Sequence, residues 1–212
     1  MNITVFGATG LVGKRIIELG LAHGYHMTAF GRNVEGLIDK DARDEHFTAM
    51  KGYVFDAADV LKAVKGADAV ISTLGGSMDG TDKSRSLGMK NIIQQMEKAG
   101  VKRIVALGGM GVLDDKDGNY LIDSPTYPEE YLAVGQEHLQ AYNSLKDSAL
   151  DWSFVGSPDI IDAGETGNYI TSADHVPEPD NYKINAGDLA EFMLKEAGSN
   201  NYVRQRIGIS NK

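Results

Sequence analysis

Short apolar runs rich in Val, Ile and Phe alternate along this chain with longer segments in which apolar side chains return every three or four residues. The first kind suits buried strands and the second suits helices that cover them, so the alternation predicts βαβ units and a parallel sheet. Strands are expected at Ile3 to Phe6, Met27 to Phe30, Thr48 to Tyr53, Ala69 to Ser72, Arg103 to Leu107 and Trp152 to Val155, with a closing strand at Arg206 to Ser210. Between the first two, Leu11, Ile16, Ile17, Leu19 and Leu21 form the buried stripe of a helix that Gly24 ends. Ser84 to Lys98 repeats this pattern with Leu87, Ile92, Ile93 and Met96, closed by Gly100. Asp56 is placed to cap a short helix through Val64, and Pro128 to Ser148 reads as a long helix. Gly187-Asp188-Leu189-Ala190 opens the last helix. Gly156 to Ile184 has no clear period and carries Pro158, Pro177 and Pro179, which predicts an irregular segment folded over the sheet.

The 212 residues suit one large α/β domain, 1–212, with about 156–185 as a small substrate-covering segment. A doubly wound sheet in the order 3-2-1-4-5-6 is expected. The formal net charge of −9 opposes a nucleic-acid surface, which draws on a cationic patch. With no cysteine there is no disulfide framework, thiolate metal site or thiol nucleophile. No run approaches the ~18 to 20 apolar residues that cross a bilayer, so no membrane partner is expected. The first strand begins where a signal peptide would need a basic stretch and a longer apolar one, which points to the cytoplasm. A monomer or homodimer is consistent with this picture.

Gly7, Gly10 and Gly13 follow the first strand and open the first helix, in the spacing G-x-x-G-x-x-G. A dinucleotide pyrophosphate needs such a tight turn, a backbone it can touch, and helix N–H groups aimed at its charge. Gly7, Thr9, Gly10, Leu11, Val12 and Gly13 are therefore candidate cofactor-binding residues of a Rossmann-type fold. A phosphate-binding P-loop would need Gly and Ser or Thr where this chain has Ala8 and Arg15. The second strand runs out through Phe30-Gly31-Arg32-Asn33, without the acid that bonds the ribose 2′-hydroxyl of NAD. Arg32 there can grip a 2′-phosphate, which favours NADPH while leaving NADH possible, and Asn33 joins it as a candidate. Asp56 stands where it could approach the adenine or cap its helix. Thr73, Leu74 and Gly75 after the fourth strand, Gly108 after the fifth and Pro158 after the sixth complete the candidate set at the carboxyl edge.

The glycine turn, Arg32 and the run Ala99-Gly100-Val101-Lys102-Arg103-Ile104-Val105 resemble the atypical short-chain dehydrogenase/reductase proteins with an NmrA-like NAD(P)-binding domain. Gly108-Gly109-Met110-Gly111, Asp123 to Tyr131 and Val203-Arg204-Gln205-Arg206 are similar to bacterial proteins proposed to be NADH-flavin reductases. In the more distant flavin reductases of the biliverdin reductase B type a serine follows the fifth strand. Gly109 stands at about that position, so a serine-dependent step does not carry over.

Many dehydrogenases of this superfamily use Tyr-x-x-x-Lys, in which the lysine lowers the tyrosine pKa. The literal match, Tyr142 to Lys146, falls near the end of the long helix, roughly 20 Å from its start at 1.5 Å per residue, and reads as a decoy. Tyr131 is better placed, but Gly135 stands where the lysine belongs. Tyr131 and His138 are the candidate catalytic residues, with Asp159 near the same end. His23, His26, His46 and His175 show no metal-ligand spacing, so no metal is expected. The expected activity is hydride transfer from NADPH to a small-molecule acceptor, a flavin or quinone-like ring, with the flavin as substrate and not a resident cofactor. A non-catalytic NADP-sensing regulator is the rival from another class, followed by a sugar-nucleotide epimerase or dehydratase.

Overall fold

The computed structural model describes residues 1–37 and 45–212. Six parallel strands form its centre: β1 (Asn2–Phe6), β2 (His26–Gly31), β3 (Phe47–Lys51), β4 (Ala69–Ser72), β5 (Arg103–Gly109) and β6 (Asp151–Ser157). They lie in the expected order 3-2-1-4-5-6. Three short strands follow, β7 (Asp159–Ile161), β8 (Tyr169–Ala173) and β9 (Lys183–Asn185), then β10 (Gln205–Asn211). β10 continues the sheet beside β6 in parallel, and β8 closes it as an antiparallel edge strand.

Successive strand residues point to opposite faces, and both faces are covered. On one face Ile3, Val5 and Ile71 pack with Ile16 of α1 (Leu11–Ala22) and with Leu189 and Met193 of a late helix, Ala186–Ala197. On the other, Phe6, Phe30, Val70 and Ile104 meet α2 (Ala57–Val64), α3 (Ser86–Ala99) and α4 (Glu129–Lys146) through Val60, Ile92, Met96 and Leu145. The late helix on the first face is α5. Thr4 lies among the apolar residues at 2% exposure, its hydroxyl donating to the Ala63 carbonyl at 2.7 Å. A buried polar group stays only when it is so paired.

The segment expected to be irregular is so only between its short strands. β7 and β9 pair in parallel, and β8 adds a strand to the main sheet. Every residue of β8 is half-buried, so it carries no apolar and polar alternation, and β7 and β9 span three residues each. Neither leaves a periodic signal to read. The turn before β8 is tied down by Asp188 at the start of α5, which accepts from the Thr166 and Gly167 N–H groups at 2.6 and 2.8 Å and from Asn211 Nδ2 at 2.6 Å.

Arg206 of β10 fixes the excursion between β5 and α4. Its guanidinium donates to both Asp114 carboxylate oxygens at 2.7 Å and to Asp174 Oδ1 at 3.0 Å, beneath the rings of Tyr120 and Tyr142. Among the described residues no helix is long and apolar enough to cross a membrane.

Candidate active site

β1 ends in a turn that only glycine satisfies at its first position. Gly7 has φ +80, a left-handed conformation, and a Cβ there would press on the Thr73 carbonyl. The Thr73 hydroxyl lies within hydrogen-bond distance of the Phe6 and Gly7 carbonyls, which binds β4 to the turn. The Gly10 N–H donates to the Gly7 carbonyl at 3.0 Å and closes it. α1 starts at once, with Gly10 at its N-cap, no side chain bonding its first amides and no acid in its first turn.

α2 provides the contrast within the same fold. Asp56 Oδ1 accepts the Ala58 and Asp59 N–H groups at 2.8 and 2.9 Å, so that helix satisfies its own N-terminus. α1 leaves its donors and the positive end of its dipole for an outside anion. The residues present therefore fit a pyrophosphate.

A cleft of about 1260 Å³ opens from this turn along the carboxyl edge of the sheet. That exceeds the ~300 to 1,000 Å³ usual for one small ligand and gives room for two ring systems. Gly7, Thr9, Gly10, Leu11, Val12 and Gly13 line one end. Arg32, Thr73, Leu74 and Gly75 follow, and Gly108, Pro158, Asp159, Tyr131 and His138 line the remainder. Two expected residues are not in the walls. Asn33 lies past Arg32 and outside the cleft, and Asp56, whose Oδ1 caps α2, follows Tyr53, Val54 and Phe55, which take the wall position before it.

Among the lining residues that the sequence reading missed are the lips of the cleft. Tyr53, Phe55, Met78 and Tyr182 are 59%, 57%, 50% and 62% exposed and all line it. Four large apolar side chains left in solvent around one opening mark a surface for a flat apolar ligand. The signal in the sequence was the apolar triplet Tyr53-Val54-Phe55 running past the end of the third strand.

At the far end β5 and β6 run on further than expected. Gly108 pairs with Gly156 and Gly109 with Ser157. The space above Gly109 holds the His138 ring, and a Cβ on Gly109 would lie 3.2 Å from His138 Cδ2. Burial first, then the Arg85 charge, push the His138 pKa down to about 4, against an opposing pull from Glu137. The imidazole is therefore neutral at physiological pH, with one N–H donor and one acceptor. Among the described residues neither ring nitrogen has a hydrogen-bond partner.

Tyr131 stands in the first turns of α4. A Cβ at Gly135 would meet Ile122 Cδ1 at 2.7 Å and the Tyr127 hydroxyl at 3.1 Å, so a side chain there would have to displace them. Tyr142 lies outside the cleft, 4% exposed, with its ring edge-on to Trp152 and Phe154. Burial raises its pKa to about 12, the reverse of what an acid catalyst needs.

The family model described as NAD(P)H-binding matches residues 7–199. The chain belongs to this NAD(P)H-binding family. The uncharacterized protein YwnB of Bacillus subtilis (strain 168) is 25% identical over 217 residues, covering 99% of this chain and 98% of that one. A solved structure from Burkholderia pseudomallei, described as a proposed exported protein, shares 32% identity and a TM-score of 0.84, with 99% of each chain covered. A proposed NADH-flavin reductase of Streptococcus pneumoniae shares 26% identity and a TM-score of 0.83 over 100% of both chains. The fold is that of NAD(P)H-binding oxidoreductases, in agreement with the resemblance to atypical short-chain dehydrogenases.

Proposed function

We propose that this protein is an NADPH-dependent reductase that passes a hydride to a flavin or quinone-like acceptor. The observation that carries the reading is one continuous cleft from the uncapped glycine turn to His138, with aromatic lips and, among the described residues lining it, no lysine to pair with a tyrosine. A bound dihydronicotinamide would supply the hydride. The chain's own task is then to hold two rings face to face and exclude water, and the acceptor's proton comes from solvent.

The α1 N-terminus receives the pyrophosphate, Arg32 receives the 2′-phosphate, and Tyr53 and Phe55 flank the adenine half. Neutral His138 offers one hydrogen bond to a carbonyl or ring nitrogen of the acceptor, while Tyr131 covers its face. Asp159, Ile160 and Tyr182, all in the cleft wall, make the segment after β6 a cover over the acceptor end.

Purified protein is mixed with NADPH and FMN, FAD, riboflavin or a soluble quinone, and absorbance is followed at the nicotinamide band. Steady turnover with at least one acceptor is expected. Tight NADPH binding without turnover across the panel would instead favour a cofactor sensor.

A further inference from the structure

Arg85 sits immediately before α3, 8% exposed, in the wall of the cleft. Its two terminal nitrogens donate to the Ser77 and Gly76 carbonyls, each at 3.0 Å, and its Nε is buried without a partner. Carbonyls satisfy donors but do not neutralise a charge. The position adds a second cost, because a cation at the N-terminus of a 14-residue helix opposes the aligned peptide dipoles.

The charges of two carboxylates act on Arg85, and both hold their hydrogen bonds with other groups. Glu137 accepts from Lys83 Nζ at 2.7 Å and from the Ser86 hydroxyl at 2.6 Å. Asp82 accepts the Ser84 N–H at 2.8 Å, and its charge is shared between Arg85 and, more weakly, Arg32. Among the described residues no carboxylate closes on the guanidinium, and burial pulls its pKa down. The Arg85 charge reaches His138, which places its field at the acceptor end of the cleft. A desolvated cation on a dipole of the same sign, facing a cleft, attracts an anion.

We propose that Arg85 forms an anion subsite for the acceptor, which draws a phosphate or carboxylate substituent and so favours acidic acceptors over neutral ones with the same ring. This rests on the reductase reading above. The chemistry it recognises could also come from a phosphate of the cofactor, and the test separates the two.

The protein is saturated with NADP⁺ and titrated calorimetrically with FMN or with riboflavin, which share a ring and differ by a phosphate. 1,4-Naphthoquinone-2-sulfonate and the uncharged 1,4-naphthoquinone form a second pair. The charged member of a pair should bind about tenfold or more tightly in the wild type, and R85Q should abolish that preference with the neutral member little changed. D82N, which removes a competing carboxylate without touching the guanidinium bonds, should strengthen the preference by a few-fold. Equal binding of both members by the wild type, or a preference that survives in folded R85Q, would overturn the subsite. If R85Q weakens NADPH and NADH alike and leaves the pairwise preference intact, the anion is a cofactor phosphate and the acceptor subsite is wrong. Binding of neither pair would reject the reductase reading itself, and the subsite with it.

Discussion

The imidazole of His138 fills the space above Gly109, 3.2 Å from where a Cβ on that glycine would lie. A ring held there must stay neutral, and its pKa is pushed down to about 4, first by burial and then by the Arg85 charge. Between pH 4 and 6.5 the unfolded chain binds more protons at this residue than the folded one. Stability therefore rises with pH across that window and is lost as pH falls through it. H138Q should lack this slope, and the wild type should lose up to about 3 kcal/mol relative to it by pH 4. Urea unfolding at several pH values from neutral to acid checks this, and parallel curves for the two proteins would refute it.

Gly10 separates ligand binding from folding. Its φ of −76 suits any residue, and a Cβ there would meet only the Gly7 carbonyl, at 3.3 Å. G10V should keep its melting temperature within a few degrees and lose NADPH affinity by about 100-fold or more, since its branches occupy the pyrophosphate position. G7A should behave differently, because a left-handed φ and contact with Thr73 cost roughly 1 to 3 kcal/mol of stability. Thermal melts and calorimetric NADPH titrations of both variants distinguish the cases. Undiminished binding by G10V would remove the turn from the cofactor site.

Arg32 decides between two cofactors that differ by one phosphate. The residue is exposed at the edge of the cleft, so solvent screens much of its charge. R32A should weaken NADPH by about tenfold, that is ~1.4 kcal/mol, with NADH little changed. R32D should lose more NADPH and gain NADH by offering the ribose an acid. A wild type that prefers NADH, or an equal loss of both cofactors in R32A, would show that Arg32 does not read the 2′-phosphate.

Tyr142 and Lys146 carry the family's acid motif in the wrong place. Y142F and K146A should leave turnover within about twofold, because neither residue reaches the cleft, while Y142F costs on the order of 1 kcal/mol of stability. Steady-state kinetics and denaturation of each variant test both halves. A hundredfold fall in kcat would bring Tyr142 back as the catalytic acid.

How much was legible depended on whether the signal was local. The six central strands carry continuous apolar runs because helices bury both faces, and those runs appear in the sequence whatever the rest does. Gly7, Gly10 and Gly13 were legible because turn, strand end and helix start are all encoded within a few residues. Asp56 was legible as a cap for the same reason, its Oδ1 accepting the Ala58 and Asp59 amides.

The tertiary structure decided everything that joins distant residues. β8 became a strand only because β10 offers it an edge, and its own five half-buried residues give no pattern. Gly108 and Gly109 were expected just past the fifth strand, yet they extend it beside β6, where their missing side chains admit the rings of Phe154 and His138. Arg85 carries no signal in the sequence, and only the tertiary packing around α3 makes it a buried cation in the cleft wall. Periodicity and turn chemistry are properties of neighbours along the chain, so the sequence by itself determined the six central strands, their helices and the glycine turn. Burial, pKa and pairing depend on which segments meet in space, and those meetings are set by the closure of the whole sheet.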